Sequence, residues 1–193
     1  MNLLVCGVGG QGVILFSNII SDLAMTAGLD IKKSEVHGMA QRGGSVTTHI
    51  RCAPKVYSPL IEEGAADIIV AFEMMEALRY IHFLNPKGRL IYDTHRIDPL
   101  PVATGAVERP ADETLGERLA ARAANRTAVP AFEAALKLGN AKAQNTVMLG
   151  AISCLLDFPE DAYHQSIQRL VKPKFVELNL KAFAEGRTLC GKT

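Results

Sequence analysis

Two glycine-rich segments near the N-terminus carry the residue types best suited to chemistry. The first follows the apolar run Leu3 to Cys6 and has the glycine spacing G-x-G-x-x-G. Such a turn lets the backbone curl tightly and approach a phosphate, while the following helix points its N-terminus at the same spot. The segment therefore predicts an anion-binding turn or a turn packed closely against a neighbour. Its candidate binding residues are Gly7, Gly9, Gly10, Gln11 and Gly12.

The second segment runs from Glu35 to Ser45 and gathers a carboxylate, an imidazole, an amide and a guanidinium among three glycines. The planar fork of Arg42 suits a carboxylate or phosphate, and His37 suits proton transfer or hydrogen-bond donation. If both segments follow parallel strands they end at one edge of the sheet, so we expect the two loops to face each other. The candidate residues are Glu35, His37, Gly38, Gln41, Arg42, Gly43, Gly44 and Ser45.

Three interpretations of these segments remain open from the residues alone. A dinucleotide site requires an acidic residue about 20 positions after the glycine turn, where Asp30 and Glu35 both lie. A turn packed against a neighbour without any ligand fits the glycines equally well. The third is a binding site shared by the two loops. The outward face of the next strand, with His49 and Arg51, is expected to meet solvent or a partner. We assign no catalytic residue and no metal ligand.

The elements that must position these loops alternate between strand and helix. Strands are predicted at Leu3–Cys6, Leu29–Ser34, Ser45–Cys52, Ala66–Phe72 and Arg89–Asp93, and helices follow Gly12 and Phe72. This alternation indicates an α/β, three-layer Rossmann-like sandwich. A hairpin at Val56–Tyr57 would make the sheet mixed, though mostly parallel.

The second half of the chain is predicted to be mainly helical. Residues 95–111 read as an irregular connection with a short strand at Val102–Val107, followed by a helix at Asp112–Ala124 and a strand at Thr127–Pro130. Helical spacing then covers about 132–185, and Gly186–Thr193 reads as a loose tail. We expect residues 1–193 to form a single domain.

Composition narrows the class of protein. The net charge is +1 and 48% of the residues are hydrophobic, so there is no excess of basic residues that would favour binding to nucleic acid. No apolar run is long enough to span a membrane. The N-terminus lacks a signal-peptide pattern, so we expect a cytoplasmic protein. Cys6, Cys52, Cys154 and Cys190 form no C-x-x-C pair, so a four-cysteine iron–sulfur cluster or a zinc site is not expected. Cys6 and Cys154 are expected in the core.

The two glycine-rich segments resemble those of a known family. Gly7 to Gly12 followed by Ser34 to Ser45, with its string H-G-M-A-Q-R-G-G, is similar to the gamma domain of 2-oxoacid:ferredoxin oxidoreductases. The resemblance is strongest to its free-standing form, the beta subunit of indolepyruvate:ferredoxin oxidoreductase. The likeness continues through Tyr57–Ile61, Ala66–Ile69, Glu76–Tyr80, Leu138–Asn140, Asn145–Ala151 and Asn179–Phe183.

The resemblance implies one subunit of an enzyme that is inactive alone. The complex would oxidatively decarboxylate an aryl pyruvate with coenzyme A as co-substrate, giving an aryl acetyl-CoA, and would pass electrons to ferredoxin. Thiamine diphosphate, Mg and iron–sulfur clusters would lie on the large alpha subunit, the partner, and this chain would hold no cofactor alone. The sequence agrees, since it contains neither cluster-type cysteines nor a G-D-G run.

The same resemblance places the Glu35 to Ser45 loop against the alpha subunit, with Arg42 and the glycine turn near coenzyme A phosphates or the partner's backbone. Related subunits carry other residues at His37 and Met39, so no catalytic base is assigned. The 2-oxoacid could be indolepyruvate, phenylpyruvate or an aliphatic one. The alternatives are a gamma-type subunit of another 2-oxoacid oxidoreductase, a stand-alone dinucleotide-binding protein or a purely structural subunit. Apolar surface meant for a partner could make the isolated chain a homodimer.

Overall fold

The computed structural model describes residues 1–37 and 43–190, except for the side chains of His37 and Leu100. The described residues form six strands and eight α-helices. The strands are β1 (Asn2–Val8), β2 (Asp30–His37), β3 (Ser45–Ala53), β4 (Ala66–Ala71), β5 (Leu84–Asp93) and β6 (Arg126–Val129). The helices are α1 (Val13–Thr26), α2 (Met74–Tyr80), α3 (Leu100–Ala103), α4 (Asp112–Arg122), α5 (Ala131–Lys137), α6 (Gln144–Ser153), α7 (Glu160–Leu170) and α8 (Val176–Cys190).

The six strands form one sheet in the order β2-β3-β1-β4-β5-β6. Strand β3 is antiparallel to both of its neighbours, while the β1–β4, β4–β5 and β5–β6 pairs are parallel. Strands β1 and β2 therefore point the same way and end at the same edge. The predicted α/β fold with a mixed, mostly parallel sheet is confirmed.

Helices cover both faces of the sheet. Successive residues of a strand point to opposite faces, and β1 shows the consequence. Leu3 and Val5 pack with Phe16 of α1 and with the C-terminal helices. Leu4 and Cys6 pack on the other face with Ala77 of α2 and with α4. Because both faces are buried, β1 is apolar along almost its whole length, and the predicted three layers are present.

The antiparallel strand is not the one that the sequence suggested. Residues 54–65 contain no strand, so the predicted hairpin at Val56–Tyr57 is wrong, and β3 itself reverses the direction. The backbone N–H of Val56 donates instead to Oδ2 of Asp30 at 2.9 Å, and the Val56 side chain is buried. This carboxylate holds the segment after β3 as a loop across the start of β2.

The C-terminal helices pack more closely than the sequence suggested. Every residue of α6 is buried. A Cβ built on Gly150 would lie 2.1 Å from the carbonyl oxygen of Phe183, and one on Gly186 would lie 2.0 Å from that of Val147. The two glycines thus let α6 and α8 touch backbone to backbone. The predicted loose tail at 186–193 is wrong for residues 186–190, which continue α8, and residues 191–193 lie outside the described chain.

Two further expectations are overturned by local contacts. The strand predicted at Val102–Val107 is absent, because the backbone N–H groups of Val102 and Ala103 both donate to the carbonyl of Pro99 and close a helical turn there. Cys154 is exposed at the end of α6 rather than in the core, whereas Cys6 is buried as expected. None of the helices in the described part of the chain is long and apolar enough to cross a membrane.

Candidate functional site

The glycine turn lies where this fold most favours a ligand. The chain leaves β1 through α1 toward β2 on one side, and leaves β4 through α2 toward β5 on the other. Strands β1 and β4 are adjacent and parallel, so a crevice forms beyond their carboxyl ends. Residues Gly9 to Gly12 sit at this crevice, between the end of β1 and the start of α1.

The surroundings of the glycines in the turn differ, and so does the effect that a Cβ atom would have at each position. A Cβ on Gly7 would lie 2.9 Å from both Cβ of Phe72 and Oε1 of Gln11. Gly12 has a φ of 83°, and a Cβ there would lie 2.6 Å from Nδ2 of Asn145. Both positions are therefore explained by packing. Gly10 differs, since its φ is 110° but no atom of the described residues lies within 4 Å of a Cβ built on it.

Gln11 is buried and fastens the turn to the sheet. Its Oε1 accepts the backbone N–H of Val8 at 2.7 Å, and its Nε2 donates to the carbonyl of Phe72 at 2.7 Å. Both ends of the amide are thus engaged within the chain. Gln11 holds the end of β1 against the end of β4 and sets the shape of the turn.

The two glycine-rich segments meet through their backbones, as predicted. The N–H of Gly9 donates to the carbonyl of Gly44 at 2.8 Å, and the N–H of Gly43 donates to the carbonyl of Gly9 at 3.3 Å. These bonds extend the β1–β3 ladder past its last pair, Val8 with Ser45. Of the other predicted residues of this loop, Gly38, Gln41 and Arg42 lie outside the described residues, and only the main chain of His37 is described.

A largely apolar cavity opens beside the turn and the start of α1. Its volume is about 420 Å³, and Ile14 on its rim is half exposed. No side chain of the described residues caps the N-terminus of α1, and the first intrahelical bond runs from the N–H of Phe16 to the carbonyl of Gly12. The N–H groups of the first turn therefore have no partner within the helix, and the positive end of its dipole faces the cavity. The lining residues are Val8, Gly9, Gly10, Gly12, Val13, Ile14 and Val46.

Ser45 does not face this cavity with a free hydroxyl. Its Oγ donates to Oε2 of Glu76 at 2.5 Å and lies 3.1 Å from the hydroxyl of Tyr80. The carboxylate of Glu76 is buried and also accepts from Nε of Arg79 at 3.1 Å. This cluster ties the start of β3 to α2, so Ser45 fixes the second glycine-rich segment in position.

Glu35 is likewise paired. Its Oε1 lies 2.7 Å from Nζ of Lys33, and the hydroxyl of Ser17 in α1 lies 3.5 Å from the same oxygen. Lys33 also donates to Oδ1 of Asn18 at 2.5 Å. The carboxylate of Glu35 therefore lies over α1, where Lys33 neutralises it. Lys33 was not singled out in the sequence, because nothing local to it indicates this pairing.

A buried ion pair supports the end of β4. The carboxylate of Glu73 caps α2 by accepting the N–H groups of Met75 at 2.6 Å and Glu76 at 3.2 Å, and it pairs with Nη2 of Arg109 at 3.2 Å. Burial raises the pKa of Glu73, which the Arg109 guanidinium opposes. Arg109 is 4% exposed and also lies within 3.4 Å of Asp98 and Asp112. It anchors the irregular segment 95–111 over this edge of the sheet.

A second buried carboxylate closes the end of β5. Asp93 accepts the N–H groups of His95 at 2.9 Å and Phe132 at 3.0 Å, and Nε2 of Gln144 at 2.7 Å. Burial raises its pKa, against the effect of these hydrogen bonds. Gln144 also reaches the carbonyl of Phe72 at 3.4 Å, the same oxygen that Gln11 contacts. A network of hydrogen bonds thus runs beneath the turn, from Gln11 through the carbonyl of Phe72 and Gln144 to Asp93.

Sequence reasoning missed the contribution of α6 to the site. Nδ2 of Asn145 donates to the carbonyl of Gly12 at 3.3 Å, across 133 residues of chain. Asn145 and the neighbouring Gln144 form the first turn of α6, which brings them under the glycine turn. The signal was present as two amides directly before an apolar helix, but their partner could not be read from the sequence.

His49 lies on a covered face rather than in solvent, whereas Arg51 beside it is partly exposed. His49 is buried, its Nδ1 accepts the N–H of Ile61 at 3.2 Å, and burial lowers its pKa. Arg51 donates from Nε to Oδ1 of Asn2 at 3.0 Å and from Nη1 to the carbonyl of Ser58 at 3.2 Å. The prediction of an outward position is therefore wrong for His49, because the segment after β3 folds back across it.

The described residues offer no ready metal site. No three His, Cys, Asp or Glu side chains in the described part of the chain are grouped as metal ligands. Cys6 and Cys52 are buried in the sheet, and Cys154 and Cys190 lie at the ends of two helices. This arrangement of donors does not fit a four-cysteine iron–sulfur cluster.

Comparison with known proteins places these features in context. A sequence profile described as pyruvate ferredoxin/flavodoxin oxidoreductase matches residues 2–189. The chain is similar to indolepyruvate oxidoreductase subunit IorB of Archaeoglobus fulgidus. The two are 42% identical over 191 residues, which cover 96% of this chain and 93% of that protein. Proteins with such names are subunits of multi-subunit oxidoreductases.

Two solved structures share the fold. The gamma subunit of a keto/oxoacid ferredoxin oxidoreductase from Geobacter sulfurreducens matches with a TM-score of 0.73 and 23% identity, covering 100% of this chain and 99% of that one. The 2-oxoglutarate:ferredoxin oxidoreductase of Magnetococcus marinus, solved with 2-oxoglutarate, coenzyme A and succinyl-CoA bound, matches with a TM-score of 0.76 and 20% identity. It covers 100% of this chain but 31% of that longer chain.

Proposed function

The chain belongs to the pyruvate ferredoxin/flavodoxin oxidoreductase family, and from this membership we propose that it is the small subunit of an indolepyruvate:ferredoxin oxidoreductase. The single observation that carries the proposal is its identity to an IorB subunit over nearly the whole length of both chains. The complex would convert an aryl 2-oxoacid and coenzyme A to an aryl acetyl-CoA, carbon dioxide, a proton and two electrons for ferredoxin. We propose the cytoplasm as the compartment of this reaction.

We assign the cofactors to the partner, a large alpha subunit. The donor set of this chain does not fit an iron–sulfur cluster, and its sequence lacks the G-D-G run of a thiamine diphosphate site. When bound to the alpha subunit, thiamine diphosphate would supply the carbanion chemistry of decarboxylation, and the clusters would carry the electrons. The role of this chain is then to bind and orient a substrate and to exclude water from it.

The crevice beyond β1 is the part of this chain that we assign to that work. The open N–H groups at the start of α1 suit an anion, and the cavity beside them suits an apolar group. Coenzyme A combines phosphates with a long, less polar arm, and a related complex was solved with it. Arg42, Gly10 and the segment from Glu35 to Ser45 would then lie between coenzyme A and the alpha subunit. The side-chain contacts of Gln11, Ser45 and Glu35 would hold the two glycine-rich segments in position.

Co-purification tests whether the chain is a subunit. The chain carries an affinity tag and is co-expressed without oxygen with the large subunit encoded in the same genome. A stable complex of defined stoichiometry supports the proposal. A chain that never associates, and that binds NAD(H) alone in a calorimetric titration, would instead be a stand-alone dinucleotide-binding protein. Assembly without any effect of Gly10→Ala or Arg42→Ala on turnover would leave it a purely structural subunit.

A further inference from the structure

Two cysteines that the sequence leaves far apart come together at one end of the molecule. Cys154 directly follows α6, and Cys190 is the last residue of α8. The two helices touch at Gly150 and Gly186, where no side chain keeps their backbones apart. Each cysteine lies four residues, or about one helical turn, after its glycine.

The contacts between the helices show that they run in the same direction. Thr146 Oγ1 lies 2.5 Å from Oδ1 of Asn179, and Nη1 of Arg187 donates to Oγ of Ser153 at 3.1 Å. Partners thus advance along α6 and α8 together, with the glycine contact between these two pairs. The next turn brings Cys154 against Cys190, and the two side chains share a hydrogen bond.

The pair is within reach of small reagents. Cys154 is exposed and Cys190 is partly exposed, whereas Cys6 and Cys52 are buried. Burial, together with the hydrogen bond to Cys154, raises the pKa of Cys190 to about 11. Cys190 therefore stays protonated at neutral pH and can donate its S–H to Cys154. Cys154 is the more exposed of the two thiols, so it is the one placed to attack a disulfide.

We propose that Cys154 and Cys190 are a redox-active dithiol that closes reversibly to a disulfide between α6 and α8. The oxidant is a small-molecule disulfide such as oxidised glutathione. The Cys154 thiolate attacks one of its sulfurs and releases one thiol, leaving a mixed disulfide. The Cys190 sulfur, once deprotonated, attacks the sulfur of Cys154 and releases the second thiol. The chain loses two hydrogens and the small disulfide gains them, so atoms and electrons balance.

The proposed bond would act on the helix that supports the glycine turn. Its bridge would fix the C-terminal end of α6 to α8, while Gln144 and Asn145 at the other end contact Phe72 and Gly12. Crosslinking residues 154 and 190 restricts the unfolded chain, so the oxidised form is expected to resist denaturant better than the reduced form.

The experiment uses the full chain, purified reduced and without oxygen. It is equilibrated in glutathione buffers of graded redox potential, quenched with acid, alkylated in denaturant and mapped by peptide mass spectrometry. The expected product is a single linked peptide pair containing Cys154 and Cys190, with Cys6 and Cys52 alkylated. Reductant should reverse it. In urea-unfolded chain, the same linkage should need at least about tenfold more oxidised glutathione, because proximity is lost.

The variants Cys154→Ser and Cys190→Ser are the matched controls. Cys190→Ser should hold glutathione as a stable adduct on Cys154, since the second sulfur is missing, and Cys154→Ser should form no linked pair. The proposal is overturned if the unaltered chain accumulates the glutathione adduct on Cys154 without the internal bond. Disulfide-linked dimers through Cys154 as the main product, or equal linkage in native and unfolded chain, would also overturn it.

Discussion

The side-chain amide of Gln11 donates to the main-chain carbonyl of Phe72 at 2.7 Å and so fastens the glycine turn to the adjacent strand. The other end of the same amide accepts the N–H of Val8. The turn is therefore shaped by a buried side chain that it contains, with no ligand required to hold it. Since no described side chain caps the start of α1, the backbone N–H groups there can serve a ligand or a partner chain.

Replacement of Gln11 should loosen the turn. In Gln11→Ala the buried N–H of Val8 loses its acceptor, which costs about 1–3 kcal/mol of the free energy of unfolding. Denaturant titration followed by circular dichroism measures this loss. The exposed Gln168 provides the control, since Gln168→Ala should change the free energy by less than about 0.5 kcal/mol. Equal values for the two variants would show that Gln11 does not fasten the turn.

Gly10 and Gly12 both have a positive φ, so an alanine at either position strains the backbone. Comparing the two variants therefore isolates the cost of the packing collision at Gly12. The methyl group of Gly10→Ala meets no described atom within 4 Å, so this variant should cost about 1–2 kcal/mol from backbone strain. Gly12→Ala also collides with Asn145 and should cost about 1–3 kcal/mol more. Unfolding titrations of both variants measure the difference.

Gly10→Ala should also have an effect on function. In a complex that assembles normally, Gly10→Ala should raise the KM for coenzyme A, because its methyl group enters the proposed binding crevice. An unchanged KM for coenzyme A in assembled Gly10→Ala would remove the glycine turn from the binding site.

The contact between α6 and α8 predicts a strong effect of one methyl group. Gly150→Ala places Cβ against the carbonyl of Phe183, so the helices must separate, and the free energy of unfolding should fall by about 1–3 kcal/mol or more. Gly116→Ala in α4 is the matched control. Its Cβ meets nothing within 4 Å, and alanine favours a helix over glycine, so this variant should gain about 0.5–1 kcal/mol. A neutral Gly150→Ala would contradict the backbone contact.

Asp93 should make stability depend on pH. Burial raises its pKa in the folded chain, so the folded state holds this proton more tightly than the unfolded state does. The free energy of unfolding therefore falls as pH rises from the unfolded value, about 3.9, through the raised folded value. In Asp93→Asn this contribution is absent. The stability advantage of the unaltered chain over Asp93→Asn should shrink as pH rises across this window, as urea titrations at graded pH will measure. An advantage that grows with pH would contradict the assignment.

Local sequence pattern predicted most of the strands and helices, but it did not show which distant segments they contact. The apolar run before Gly7 and the helical spacing after Gly12 predicted β1 and α1, and the parallel direction of β2 placed the two glycine loops at one edge. No local pattern links Gly12 to Asn145 or Gly7 to Phe72, because these contacts join distant segments. The sequence therefore indicated a special turn without showing which glycines serve packing.

Errors arose where a distant segment changes the environment of a residue. His49 has the alternation of an outward strand position, yet Ile61 covers it. Glycine commonly follows the last residue of a helix, so Gly186 indicated a helix end. Its missing side chain instead lets α8 pack against α6 and continue to Cys190. In both cases tertiary packing overrides the local signal, and only the fold reveals the packing partner.

A turnover measurement with and without this chain tests its assignment as the small subunit of an indolepyruvate:ferredoxin oxidoreductase. The large subunit, this chain and their complex are each assayed, without oxygen, for reduction of ferredoxin by indolepyruvate and coenzyme A. If this chain is the small subunit, only the complex should reduce ferredoxin rapidly, and its reaction should depend on coenzyme A and be faster with aryl than with aliphatic 2-oxoacids. Equal reduction by the large subunit without this chain would contradict this assignment, as would an assembled complex inactive with every aryl 2-oxoacid tested.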